Sequence, residues 1–345
     1  MPERTYSVAI IGCGGRARAH VPGIAADARL KVTALADVRA ESADTFNTEN
    51  GYGATVYTDY ADLLRRETPD VVIITLWTAL HLPVITACIE AGVKAILSEK
   101  PMAATWSECE QIAALAEKSG VVLTFAHQRR FSSGNIRIRE LINAGTFGKI
   151  ERMELFSPPH LLDCGTHSMD QAISFNNEIG VAWVHGAADL TDTVNYFNVP
   201  AEGVFTGVFR FANGVHGSIR TGTLDMDMWG GVRVTGSDGF VEVFWDGDIR
   251  RAVKYSDPSW SFPVPDAVPE EQMIGLVKNA IDCLESGAEP ELSYKRAFKA
   301  GEILFAFYKS AQTNKRVLLP LTGVTGNPVW EMIAAQKTEG TKETL

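Results

Sequence analysis

The chain has 345 residues, 46% of them hydrophobic, which is enough to bury a large core and to form two domains of ordinary size, and it excludes a disordered tail or a small disulfide-stapled scaffold. Its formal net charge of −10 argues against nucleic acid or an anionic membrane surface as a main partner, and no apolar run reaches the length needed to span a bilayer. The start of the chain has no basic, apolar, small-residue succession of the signal type, and the five cysteines (Cys13, Cys88, Cys109, Cys164, Cys283) are scattered with no C-x-x-C pair, so the expectation is a cytoplasmic protein with reduced thiols.

From Tyr6 to Ala126, strand-like runs alternate with helix-like ones, the pattern of a parallel sheet covered by helices. Strands are expected at Val8 to Ile11, Val32 to Ala36, Ala54 to Tyr57, Val71 to Thr75, Ala95 to Ser98 and Val121 to Ala126. Six such strands make a doubly wound domain. Gly92 closes a helix that begins near His81, and Gly120 closes one that begins after Thr105, where Thr105 and Glu108 fit a capping box. Pro22 and Gly23 predict that the first helix kinks or ends near His20.

The first strand breaks into Gly12-Cys13-Gly14-Gly15-Arg16-Ala17. Gly12 permits the tight turn, Gly14 lets backbone approach a pyrophosphate, and Ala17 lets the following helix pack near the strand. Phosphates would sit on the free N–H groups of that helix start. Asp37, twenty residues after Ala17 at the end of the second apolar run, suits a ribose 2′-hydroxyl. Together these residues predict a dinucleotide site. Asp37 repels a 2′-phosphate and points to NAD, while Arg39 beside it leaves NADP open.

After Ala126 the strands are spaced more widely. A helix is expected at Asn135 to Ala144, stopped by Gly145. Strands at Lys149 to Phe156, Val181 to Ala187, Val204 to Phe211, Val215 to Thr221, Gly231 to Thr235, Phe240 to Trp245 and Ile249 to Tyr255 form a mostly antiparallel sheet. Asn213-Gly214, Asp238-Gly239 and Asp246-Gly247 supply its hairpin turns. Helices follow at Glu270 to Glu285 and Tyr294 to Thr313, and a polar tail begins after Pro320. The expected division is a dinucleotide-binding domain at 1–126, an α+β domain at 127–320 and a tail at 321–345.

Two stretches carry further chemistry. Ser98-Glu99-Lys100-Pro101 follows the fifth strand, at the edge where open α/β sheets bind ligands. A lysine there can donate to a substrate hydroxyl, although for an arbitrary lysine a surface Glu-Lys pair at a loop is the better reading. Asp163 and His167 are four apart, on one face of a helical turn, with Asp170 three residues beyond. A histidine beside a carboxylate suits proton transfer near neutrality, although the same residues also read as an N-cap and a core histidine. His160 is a weaker substrate contact. Arg129 and Arg130 suit a substrate carboxylate or phosphate, or a surface pair. Trp229 and Trp260 lie in loop-like stretches from which they could reach a cleft, Trp183 and Trp245 read as core, and Trp106 as a helix-surface contact. Asp225-Met226-Asp227 lacks the rest of a ligand shell, so no metal is expected.

Gly12-x-Gly14-x-x-Ala17, Thr75 with His81 downstream, Glu99-Lys100-Pro101 and Asp163-x-Gly165-x-His167-x-x-Asp170 together resemble the glucose-fructose oxidoreductase / inositol dehydrogenase (Gfo/Idh/MocA) family, over nearly the whole chain to about Pro320. The resemblance implies a Rossmann domain followed by an α+β domain with a large open sheet, often used to build a homodimer or homotetramer. It implies NAD(P)-dependent oxidation or reduction of a sugar, cyclitol or related polyol. Lys100 would be the catalytic lysine, His167 the acid/base and Asp163 its assisting carboxylate. Cofactor contacts would come from Gly12, Cys13, Gly14, Gly15, Arg16, Asp37, Thr75, Leu76, Trp77, His81, Glu99 and Lys100, and substrate contacts from Lys100, Arg129, His160, Asp163 and His167. Two departures reshape the pocket: Thr75-Leu76-Trp77 replaces the usual threonine or small residue followed by proline and asparagine, and the approach from Phe156 to Asp163 is short. The expected reaction sits between the domains, with Lys100 on one wall and His167 on the other. Competing readings are a glycosidase that retains NAD for transient oxidation and a non-catalytic dinucleotide-binding sensor; the latter has no chemical need for Lys100, Asp163 and His167 together.

Overall fold

A computed structural model describes residues 4–196, 198–222, 230–263, 268 and 270–342. Asp225, Asp227 and Trp229, singled out above, lie outside the described residues.

The first half runs β1 (Tyr6–Ile11), α1 (Gly15–Ala25), β2 (Leu30–Ala36), α2 (Ala40–Asn50), β3 (Thr55–Tyr57), α3 (Tyr60–Glu67), β4 (Val71–Ile74), α4 (His81–Glu90), β5 (Ala95–Ser98), α5 (Trp106–Ser119) and β6 (Val122–Phe125). The six strands form one parallel sheet in the order β3-β2-β1-β4-β5-β6. Val8, Ala9, Ile10, Val72, Ile73 and Ile74 are fully buried, as expected of central strands covered on both faces. The chain reverses its winding between β1 and β4, and such a switch point is where doubly wound sheets bind ligands.

The second half contains α6 (Ser133–Asn143), β7 (Ile150–Phe156), α7 (Thr166–Phe175), β8 (Val181–Asp189), β9 (Val194–Tyr196), β10 (Val199–Ala201), β11 (Val204–Phe211), β12 (His216–Gly222), β13 (Gly231–Gly236), β14 (Gly239–Phe244), β15 (Ile249–Lys254), α8 (Glu271–Ser286), α9 (Tyr294–Thr313), β16 (Val317–Leu318) and α10 (Pro328–Lys342). Eight of these strands make a mostly antiparallel sheet, β15-β14-β13-β7-β12-β11-β8-β16, with β7 and β12 parallel. The three hairpins turn where Asn213-Gly214, Asp238-Gly239 and Asp246-Gly247 were expected to turn them. On β11, Phe205, Phe209 and Phe211 face inward, while Thr206, Val208 and Arg210 face out. Gly207 and Gly217 give the rings room: a Cβ there would lie 2.5 Å from Phe307 and 2.1 Å from Phe209.

The described chain divides into two compact units, Met1–Ala103 with Glu108–Phe131 and Pro269–Phe298, and Ala104–Ser107 with Ser132–Val268 and Lys299–Leu345. The expected boundary near residue 126 therefore needs correction, because α8 returns to the first unit. Met273, Leu276, Val277, Ala280 and Ile281 make its apolar stripe and join the cluster of Val8, Ile10, Ala17 and Leu35. Arg29 fixes the contact, bonding Asp282 at 2.8 Å and Glu285 at 2.8 Å.

Three smaller expectations also change. α1 does not end near His20 but continues through Pro22 to Ala25. Proline costs the helix one backbone bond, and the packing of α1 on α8 outweighs that cost. Trp106 is not a surface contact; it is 2% exposed, and its ring lies 6.1 Å from Phe305. The polar stretch after Pro320 contains the helix α10.

Candidate functional site

The first unit builds a cradle at the carboxyl ends of β1, β2 and β4. Gly12 has φ +92°, which a side chain would strain, and a Cβ there would meet the Thr75 carbonyl oxygen and Leu76 Cδ2 at 2.9 Å each. Thr75 staples the two strand ends, its N–H donating to the Ile11 carbonyl at 2.9 Å and its hydroxyl to the Gly12 carbonyl at 2.5 Å. α1 then starts from Gly14, which has no side chain to cap the first N–H groups, and its first turn holds no acidic residue. A Cβ on Gly14 or Gly15 would meet nothing within 4 Å. An uncapped helix start in open space attracts an anion through both its donors and its dipole.

Asp37, at the end of β2, is drawn onto this turn. Its Oδ2 accepts from the Cys13 N–H at 2.9 Å and its Oδ1 from the Arg39 N–H at 2.9 Å. The carboxylate is thus fixed beside the glycine turn with lone pairs left for a diol. Val38, 88% exposed, follows it. At the end of β4 the Trp77 indole is 52% exposed, an apolar surface where the family pattern has smaller residues. These features fit a dinucleotide: donors for the pyrophosphate, an acceptor for the ribose and apolar faces for rings.

Glu99 and His81 are buried in the same unit. Glu99 is 4% exposed and accepts from His20 Nε2 at 2.8 Å and from Arg16 Nε at 2.7 Å. Burial pushes its carboxyl up, but the hydrogen bond and charge of His20, with those of Arg16, outweigh burial and hold it at about 2. His81 is fully buried; Nδ1 faces the Pro101 carbonyl at 3.0 Å and Nε2 the Leu76 carbonyl at 3.2 Å. Burial lowers its pKa against the pull of these carbonyls. Both residues were expected to touch a cofactor. In the structure His81 ties the Leu76 loop to the turn after Lys100, and Glu99 ties that turn to α1. Lys100 itself is half-buried at the end of β5. Arg129 lies in the turn Gln128–Phe131, in this unit and not in the second, and Arg130 pairs with Glu291 at 3.3 Å.

In the second unit a π-helical turn, Leu161–Gly165, runs straight into α7. Asp163 lies in the π turn and His167 one turn on, so the segment presents both from one continuous helix; they are 9% and 4% exposed. π turns inside helices are frequent at functional sites. Ser168 and Gln171 pin α7: Ser168 accepts from Trp245 Nε1 at 3.0 Å and donates to Ser157 at 3.0 Å, while Gln171 donates to Asn135 at 2.6 Å. His160 precedes the π turn, and burial pushes its imidazole down while the Asp163 charge opposes that shift. Two residues with no signal in any motif reach this segment. Glu202 Oε1 accepts from the Leu161 N–H at 2.7 Å, and Tyr308 accepts from the Leu162 N–H at 3.2 Å while donating to Glu202 Oε2 at 2.8 Å. Trp260 packs on Phe147 and Phe262, and Trp183 lies half-buried in β8 beneath Arg316.

Comparison with known proteins gives a consistent result. Residues 6–127 match the model of an oxidoreductase family with an NAD-binding Rossmann fold, GFO_IDH_MocA. The chain is similar to scyllo-inositol 2-dehydrogenase (NADP(+)) IolW of Bacillus subtilis, with 26% identity over 230 residues, 57% of this chain and 59% of that protein. It is also similar to inositol 2-dehydrogenase of Salmonella paratyphi B, with 28% identity over 147 residues, 42% of this chain and 44% of that protein. The chain thus aligns with about half the length of these curated relatives. In fold it is similar to the WlbA dehydrogenase of Bordetella pertussis, solved with NADH and UDP-GlcNAcA, at TM-score 0.78 and 22% identity over 92% of this chain and 100% of that one.

Proposed function

We propose, from the match of residues 6–127 to the NAD-binding Rossmann model of the GFO_IDH_MocA oxidoreductases, that the chain interconverts a secondary hydroxyl and a ketone on a sugar, cyclitol or related polyol with NAD. The observation that carries this reading is the uncapped start of α1 together with Asp37, fixed by the Cys13 and Arg39 N–H groups beside the glycine turn. Gly12, Gly14, Gly15 and the first N–H groups of α1 would hold the pyrophosphate, and Asp37 the adenosine ribose. NAD, when bound, supplies the acceptor or donor of hydride.

The chain's own residues do the rest. Lys100 donates a hydrogen bond to the reacting oxygen and, as a cation, favours the alkoxide over the alcohol. His167 takes the hydroxyl proton during oxidation and returns it during reduction, and Asp163 keeps the imidazole basic and oriented. His160 and Arg129 contact the remaining hydroxyls or an acidic substituent. The polyol class rests on the names of the relatives, two of which are inositol dehydrogenases.

The test is a panel of myo-inositol, scyllo-inositol, aldoses, aldonic acids and aryl glycosides with NAD, following NADH absorbance and aglycone release together. NADH formation that depends on one polyol is expected. Aglycone release without NADH would replace this reading with redox-assisted glycoside cleavage, and NAD binding without either signal would leave a sensor.

A further inference from the structure

We infer that Glu202 is a positioning residue for the reaction, whose buried carboxylate, with the Tyr308 hydroxyl, sets the placement of the segment bearing Asp163 and His167. The inference rests on the assignment of those two residues under the proposed function.

A helix start leaves its first N–H groups without partners, and His160, at the N-cap of the π turn, makes no side-chain cap. The missing partners arrive from far along the chain. Glu202 follows β10, 41 residues beyond Leu161, and takes the Leu161 N–H at 2.7 Å. Tyr308, on α9, takes the Leu162 N–H at 3.2 Å and hands its own proton to the other oxygen of Glu202 at 2.8 Å. The main-chain carbonyl of Glu202 meets His160 Nδ1 at 3.2 Å. Of the three residues immediately before Asp163, His160 and Leu161 are therefore tied to Glu202 directly and Leu162 through Tyr308.

Glu202 is 0% exposed, and its carboxylate oxygens accept from the Leu161 N–H and the Tyr308 hydroxyl. Burying such a group is costly, and an apolar residue would fill the space at less cost. What the carboxylate adds is direction. A π turn has a looser bonding pattern than an α-helix, here the Gly165 N–H reaching back to the His160 carbonyl at 3.1 Å, so its first turn needs fixing from outside. Asp163 lies one residue beyond the two clamped amides, and His167 follows on the same continuous helix. A shift of about 1 Å in a catalytic group can cost on the order of 100-fold in rate.

The variants are Glu202→Gln and Tyr308→Phe in the full chain. Glutamine keeps the shape but cannot accept from both Leu161 and Tyr308. Five quantities are read: kcat and KM for the polyol that turns over fastest in the panel above, the NAD dissociation constant, the thermal unfolding midpoint, and hydrogen exchange of the peptide spanning residues 160–175. The inference predicts a fall in kcat of tenfold or more in Glu202→Gln, KM and NAD affinity within about twofold, and exchange of the Leu161 and Leu162 amides faster by tenfold or more, with Tyr308→Phe changing in the same direction. Unchanged kcat beside faster exchange would overturn it, as would unchanged exchange. So would a parallel collapse of kcat, NAD affinity and thermal stability, which would mark a purely structural role. If Asp163→Asn and His167→Ala keep full turnover, the proposed function fails; if those abolish turnover while Glu202→Gln does not, this inference alone fails.

Discussion

Glu99 was expected among the cofactor contacts, and the structure shows what holds its carboxylate. It stands in the Glu-Lys-Pro stretch, but its carboxylate points inward onto His20 and Arg16. Its pKa falls from 4.5 in the unfolded chain to about 2 in the folded one. The unfolded chain therefore takes up the proton first as pH falls. The stabilisation is complete above about pH 4.5 and is lost as pH drops toward 2, an effect of about 3 kcal/mol for a shift of this size. Urea unfolding at pH 6 and pH 3 is expected to show an acid-dependent loss that shrinks by about 2 kcal/mol in Glu99→Gln, since at pH 3 part of the effect is still retained; an identical loss in both proteins would contradict the assignment. His20 was not a site candidate in the sequence, because a single histidine on a helix carries no local sign of a partner 79 residues away. Glu202 was invisible for the same reason: its partners, Leu161 and Tyr308, lie 41 and 106 residues from it.

At the scale of elements, what was legible depended on how local the signal was. The six parallel strands and the hairpins of the antiparallel sheet follow from apolar runs, alternation and Asn-Gly or Asp-Gly turns, all contained within a few residues. The stripe of α8 was equally legible as an amphipathic helix, but a stripe does not say which surface it covers, and chain order suggested the wrong unit. Gly23, taken with Pro22 as a sign that α1 kinks or ends near His20, is a point of contact with α8. A Cβ there would lie 2.5 Å from the Met273 carbonyl oxygen and 2.6 Å from Val277 Cγ2, so only glycine lets α1 and α8 meet. Gly23→Val is expected to destabilise the protein by about 1–3 kcal/mol, as other overpacked cores do, measured by urea unfolding. A neutral effect would mean that α8 can move away freely. The pair β9 and β10 was missed because strands of three residues are too short to show alternation.

For the molecule as a whole, the Rossmann fold and the match of residues 6–127 to an NAD-binding oxidoreductase model were legible because the glycine turn, Asp37 and Glu99-Lys100-Pro101 are compact motifs. On the proposed reading cofactor choice turns on Asp37, whose carboxylate is held on the turn by two backbone N–H groups where it would repel a 2′-phosphate. Asp37→Ser is expected to improve kcat/KM for NADP by at least tenfold relative to NAD, since removing a repelling carboxylate restores more than 1.4 kcal/mol of differential binding. An unchanged ratio would place the discrimination elsewhere.

The central claim is that Lys100 and His167 serve one reaction of a polyol with NAD. The most direct measurement is steady-state turnover of the wild type, Lys100→Ala and His167→Ala at saturating NAD with the polyol found in the panel, beside NAD binding by fluorescence titration. Each variant is expected to lose at least 100-fold in kcat, the usual scale for a general acid–base or oxyanion group, with the NAD dissociation constant changed by less than about threefold. Full turnover in either variant would contradict the account.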